Sequence, residues 1–211
     1  MLRATAKRLT RKDILDVSVG LFARHGYEGV TMRKIAAAVG VQAPALYYHF
    51  PDKRNLYLAV MAYAVTDKLD SATGALNKDG PPALRLQEFI ARLIRDLDAD
   101  PDLLLLLQRE RLDGDEERLK LLVKEVFMTP FVALIGVIKE IAPGRDADAL
   151  LAALSVIGLV MHPLEARAMV RFIPGWYPEF NQTDRLTHHV CELLREGLIR
   201  QAEKTPNPPL V

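Results

Sequence analysis

A chain of 211 residues that is 50% hydrophobic and 26% charged can bury a core without disulfides or structural metals, and is no fibrous or low-complexity polymer. Its single cysteine, Cys191, excludes an intramolecular disulfide and fits a reducing cytoplasm. The net charge of +1 hides an asymmetry: residues 1–60 hold ten Lys and Arg against four Asp and Glu, and the remainder holds eighteen against twenty-three. A basic end on an acidic body points to a polyanion at that end; the plainer alternative is an excess of solvated charge.

The opening MLRATAKRLTRKD has charges but no apolar segment behind them, so no secretory leader is expected. The first helix is expected to begin at Thr10, whose hydroxyl caps it with Asp13 three residues on. Ile14, Leu15, Val17, Leu21 and Phe22 form its core face, and Gly26 stops it. Thr31 caps a second helix that ends before Gly40. A brief third runs from Ala43 to His49, with Pro44 tolerated in its first turn. Asp52 starts a long helix reaching about Ala75.

The break LNKDGPP (76–82) follows, because glycine and two prolines cannot continue a helix. Beyond it helices are expected near 83–99, 101–112, 115–141, 146–172 and 183–203. Pro130 and Pro163 fall inside two of these and free the carbonyls of Val126 and Leu159, so kinks are expected there. The longest apolar run, ALLAALSVIGLVM (149–161), is interrupted by Ser155 and Gly158 and reads as a buried helix too short to span a bilayer. The tail TPNPPLV (205–211) reads as disordered. The fold class is all-α, with about nine helices, no 20–50-residue repeat and no sustained strand alternation.

Ile35, Ala36, Val39, Gly40, Val41 and Leu46 have the spacing of a helix-turn-helix. Two apolar residues face inward, a small residue allows a close crossing, and a glycine makes the left-handed turn. The second helix of that pair then turns out Gln42, Ala43, Pro44, Ala45, Tyr47, Tyr48 and His49. Small residues at its start suit close approach to base edges, and Ala and Pro suit a thymine methyl. Tyr, His and the following Lys53 carry donors for phosphate oxygens. The alternative for one of the two tyrosines is packing under the long helix; Phe50 reads as core.

On FARHGYEGVTMRKIAAAVGV followed by ALYYHFPDKRNLYLAV, residues about 10–58 resemble the DNA-binding domain of the TetR family of bacterial transcriptional regulators. The resemblance implies a helix-turn-helix DNA-binding domain over 1–54 and a larger helical ligand-binding and dimerisation domain over 55–204. It implies that Thr31 caps the second helix towards a phosphate and that Arg33 touches a base or phosphate. Gln42, Ala43, Pro44 and Ala45 would stand at base-reading positions, Tyr47, His49 and Lys53 at backbone-contacting ones, and Tyr48 at either. Ala43 and Ala45 depart from relatives with polar side chains there, which leaves direct readout to Gln42, Arg33, methyl contacts or DNA shape.

For the body, the resemblance implies a homodimer, a palindromic double-stranded DNA operator and a small-molecule effector, with repression the usual outcome. Met61, Phe89, Phe127, Phe131, Met161 and His162 are candidates to line an effector cavity, against the alternative of a filled core. Arg109 and Arg111 are further polar candidates. The dimer interface is expected from Leu150, Leu154, Ile157 and Gly158 on one helix and Leu186, Val190, Leu193, Leu194 and Gly197 on the last, with the ring-rich loop 173–180 beside it. His188 and Glu192 stand one turn apart without a third ligand, so no metal or other cofactor is expected. No HExxH, GxxxxGK, GxGxxG or Glu-x-x-His pattern appears, and no enzyme is expected. The competing reading is a helical dimeric module that binds another protein and no DNA.

Overall fold

The computed structural model describes residues 9–113, 115–144, 146–195 and 197. Among the described residues every regular element is helical: α1 (Arg11–Gly29), α2 (Met32–Val39), α3 (Ala43–His49), α4 (Lys53–Leu76), α5 (Pro82–Asp98), α6 (Pro101–Asp113), α7 (Glu116–Leu122), α8 (Met128–Ile141), α9 (Ala149–Val170) and α10 (Thr183–Leu194). Since α7 and α8 run together through the π-turn Val123–Phe127, these make nine rods, and the all-α expectation holds. The tail 205–211 and the expected helical residues 198–203 lie outside the described residues.

Packing divides the chain into two compact units. One is formed by the residues up to Val65 and by Leu105–Val126, the other by Thr66–Leu104 and the residues from Phe127 on. Residues 55–65 and 105–126 thus pack with the N-terminal helices, across the boundary expected at residue 54.

In the first unit the local signals act as written. Thr10 Oγ1 accepts from the Asp13 amide at 3.1 Å, and the Asp13 carboxylate accepts from the Thr10 amide at 2.9 Å, closing a capping box on α1. Gly26 breaks that helix at φ 67°, ψ 176°, a region nearly closed to other residues, and one further turn follows. Ile14, Phe22, Ile35, Leu46, Leu56 and Tyr57 are fully buried and join α1 to α4 in one core.

Charges lie buried in the same unit. The Tyr57 hydroxyl donates to Glu110 Oε2 at 2.6 Å, and Arg118 Nε donates to both Glu110 oxygens at 2.9 and 3.0 Å. Both charged side chains are only 4% exposed. Burial, then the bond to Glu110, pushes the Tyr57 phenol far above its ordinary value, so it stays a donor. Arg109 donates to the carbonyls of Ala23 and Arg24 at 2.6 and 2.7 Å, filling acceptors that α1 loses where Gly26 breaks it.

In the second unit α5 buries Leu86, Phe89, Ile90, Leu93, Ile94 and Leu97, one face at helical spacing. That face packs against α8, α9 and α10. At its end Asp98 accepts from Arg167 and, at 2.6 Å, from the Thr183 hydroxyl, tying α5 to α9 and α10.

Two expectations are corrected. The stretch 115–141 is no uniform α-helix: the backbone widens into the π-turn Val123–Phe127 just ahead of Pro130, whose ring cannot donate to the carbonyl of Val126. The apolar run 149–161 belongs to a 22-residue helix, α9, and both α9 and Glu116–Ile141 are long and apolar enough to cross a membrane by length and composition alone. Only about a third or less of either apolar window is buried, although α9 packs on α5 and α8 as a core helix does. Pro163 sits inside α9 without interrupting it.

Glu110→Ala is expected to cost about 3–5 kcal/mol in urea unfolding, because it leaves the buried Arg118 guanidinium only the more distant Asp113 carboxylate at 3.7 Å. Glu110→Met combined with Arg118→Met should recover most of that loss. For Asp98, burial acts to raise the carboxyl pKa, but the bonds from Arg167 and Thr183 outweigh it and hold it below its ordinary value. A depressed folded value gives stability that is complete above the unfolded value of about 3.9 and lost as pH falls through the folded one. Thermal melts of Asp98→Asn should therefore lose less stability on acidification below about pH 4 than those of the unaltered chain.

Candidate nucleic-acid interface

The arrangement starts with α2. Thr31 Oγ1 accepts from the Lys34 amide at 3.2 Å, and Lys34 Nζ donates to the Gly29 carbonyl at 2.7 Å, fixing the helix start from both sides. Ile35 and Ala36 are buried, and Arg33 is exposed in the first turn. Gly40, at φ 81°, ends α2, with its amide donating to the Ala37 carbonyl at 3.2 Å and the Val41 amide to that of Ala36 at 2.9 Å. The chain can thus reverse within three residues and start α3.

The third helix has only seven residues and a single buried side chain, Leu46. Leu46 and, just beyond the helix, Phe50 are 0% and 2% exposed. The opposite face turns out Gln42, Pro44, Tyr47 and Tyr48, with Ala43, Ala45 and His49 half-buried. Gln42 makes no capping bond with its side chain. Tyr47 is 51% and Tyr48 83% exposed, so neither packs beneath α4. The Tyr48 and His49 rings meet edge-on at 5.2 Å. A row of one amide, a proline and two phenols has the donors and the flat apolar surface to meet a base edge and its flanking phosphates.

Lys53 differs from a freely sweeping surface lysine. Its side chain is 23% exposed, and its ammonium lies 4.0 Å from the centroid of the Tyr27 ring and 3.7 Å from the Glu28 carboxylate. Arg118 stands on the same ring, its guanidinium carbon 4.4 Å from the centroid. Burial raises the Tyr27 phenol pKa against the pull of Arg118. Asp52, beside Lys53, accepts from the Asn55 amide at 2.8 Å; that bond, more than the Asn55 side chain, lowers its carboxyl pKa against burial. None of Tyr27, Glu110 and Arg118 could be picked from the sequence, because they lie far apart in the chain and meet only in the packed unit.

The other sequence candidates scatter. Met61 is buried in the first unit; Phe89 and Met161 are buried in the second, Phe127 and Phe131 are half-buried there, and His162 is exposed. Arg109 holds α1. Of the residues expected at a dimer interface, Leu150, Leu154, Gly158, Leu193 and Gly197 are exposed and Ile157 is half-buried. Leu186, Val190 and Leu194 are instead buried in the chain's own second unit, because α10 lays that stripe against α5. Leu193 and Gly197 remain turned outward.

Residues 14–60 match the profile of the family described as bacterial regulatory proteins, tetR family. The chain is 43% identical over 56 residues to the HTH-type transcriptional repressor AcnR of Corynebacterium diphtheriae, which covers 26% of this chain and 30% of that protein. It thus spans less than a third of the repressors it matches first, at 30% and 27% of their lengths. Nucleoid occlusion factor SlmA of Cronobacter sakazakii is 29% identical over 140 residues, 65% of this chain and 70% of that protein. The fold recurs in the transcriptional regulator FadR from Bacillus subtilis, solved in complex with stearoyl-CoA, with TM-score 0.73 at 20% identity over 89% of this chain and 99% of that one. The match falls on the helices that bear the exposed face of α3: over residues 14–60 the chain is similar to the bacterial regulatory proteins of the tetR family.

Proposed function

We propose that the chain is a homodimeric, ligand-responsive regulator of transcription. Its N-terminal head, residues 1–54, would place α3 in the major groove of each half of a palindromic operator. The observation that carries this is the outward face of α3, set by the burial of Leu46, in the basic quarter of the chain that also holds Arg33 and Lys53. Gln42 is the one side-chain amide on that face and reads a base, with Ala43, Pro44 and Ala45 on methyl groups. Arg33, Tyr47, His49 and Lys53 hold the phosphate backbone, Tyr48 serves either role, and Thr31 aims α2 at a phosphate.

The exposed leucines of α9, Leu150, Leu151 and Leu154, with Leu193 of α10, support pairing with a second copy, since an aqueous surface rarely leaves such a row uncovered. Residues 55–204 would then serve dimerisation and effector binding, with a small, largely apolar effector taken up within the second unit, where Phe89 and Met161 are buried and Phe127 and Phe131 half-buried. FadR, of like fold, is solved with stearoyl-CoA, which supports an acyl chain as the kind of molecule to try first. Effector binding favours a dimer geometry whose heads no longer match the operator and so relieves repression, in the bacterial cytoplasm.

Gel shifts on the DNA beside the chain's own gene test this. The unaltered dimer should bind, and stearoyl-CoA or another acyl thioester should release it. Gln42→Ala should cost about 1–3 kcal/mol at one base position and change which sequences are preferred. Lys53→Met should weaken all sequences alike. A dimer that binds no DNA, there or genome-wide at low salt, would leave a protein-interaction module.

A further inference from the structure

We propose that Tyr27 is a positioning residue for the phosphate-binding Lys53, and that Arg118 fixes Tyr27 for that task; the proposal rests on the DNA-binding reading above. A lysine in the first turn of a helix ordinarily samples many rotamers and must be ordered when it meets a phosphate. Here the ammonium already stands over an aromatic face, 4.0 Å from its centroid, where the ring quadrupole attracts it. The ring is itself immobilised. Phe22 lies parallel to it at 6.4 Å, Tyr57 meets it edge-on at 5.0 Å, and Arg118 sits at 4.4 Å.

Arg118 is locked in turn by its two bonds to the buried Glu110 carboxylate, which also accepts from Tyr57. The order of fixation therefore runs Glu110, Arg118, Tyr27, Lys53, all within the first compact unit. Neutralisation by Glu110 keeps Arg118 from expelling a second cation from the same ring. Glu28, 89% exposed and 3.7 Å from the ammonium, holds it from the solvent side and is the group that a phosphate oxygen displaces.

The test uses fluorescence anisotropy of the full chain with mixed-sequence duplex DNA over a salt series, because a phosphate contact is independent of sequence. Loss of one contact lowers the slope of log affinity against log salt by about 0.9. Lys53→Met should show that decrease with a several-fold loss at low salt. Tyr27→Leu should match it in slope and affinity, whereas Tyr27→Phe, which keeps the ring face, should bind as the unaltered chain does. Tyr27→Leu combined with Lys53→Met should bind no worse than Lys53→Met alone, and Glu28→Gln should tighten binding. Circular dichroism melts establish that each variant is folded at the assay temperature.

Should Tyr27→Leu not fold, pentafluorophenylalanine at position 27, close to phenylalanine in shape with its ring quadrupole reversed, must give the Lys53→Met slope. A full slope in Tyr27→Leu or in the fluorinated chain, or additive losses in the double variant, overturns the positioning role while the DNA-binding reading stands. If the unaltered chain shows no salt-dependent binding and Lys53→Met is indistinguishable from it, the DNA-binding reading falls and takes this role with it.

Discussion

A seven-residue helix has too few internal hydrogen bonds to hold itself together in water, so α3 exists because Leu46 is driven out of solvent as α3 packs on α2. That one burial sets the rotation of the helix. With Leu46 inward and Phe50 closing the end, Gln42, Pro44, Tyr47 and Tyr48 have nowhere to go but outward. Gly40 sets the entry angle, since only a left-handed residue turns the chain quickly enough for α3 to meet α2. The outward face is therefore a by-product of core packing, and its chemistry is free to vary while the scaffold stays fixed.

Beneath this lies a different kind of constraint. Taking Glu110 and Arg118 out of water carries a desolvation cost that their mutual bonds only offset, so the pair contributes geometry more than stability. An apolar core tolerates small sliding movements, but a guanidinium bonded to both oxygens of one carboxylate does not. Arg109, bonded to two successive carbonyls at the end of α1, imposes the same rigidity on the break at Gly26. In the second unit Asp98, bridging α5, α9 and α10, is only partly buried, so its contribution follows pH more openly.

Where local chemistry decides, the elements were legible in the sequence. Thr10 with Asp13, Thr31, Gly40 and the proline-glycine break at 76–82 each state their role in one or two residues, and α1 to α5 begin and end within a residue or two of expectation, except that α1 runs a turn past Gly26. Leu46 inward followed from helical spacing alone, whereas spacing left open whether one of Tyr47 and Tyr48 packs under α4; both are exposed. What was not legible depends on partners remote in the chain. The stripe Leu186, Val190, Leu194 has the spacing of an apolar seam, but spacing cannot say whether the chain's own α5 or another molecule covers it; α5 does. Pro130 announced a disturbance but not its form, because one extra residue per turn is among several ways to seat a proline. Lys53 was recognised as a cation near the site, whereas the ring beneath it depends on Arg118, far along the chain.

The discontinuity of the first unit bears on its birth at the ribosome. Glu110 follows Tyr57 by 53 residues, so at about 5–20 residues per second roughly 3–10 s separate the appearance of these two partners. In that interval α1 to α3 can collapse around Leu46, but the aromatic cluster of Phe22, Tyr27 and Tyr57 lacks the cation and carboxylate that finish it. The basic head of a nascent chain thus emerges well before its geometry is complete.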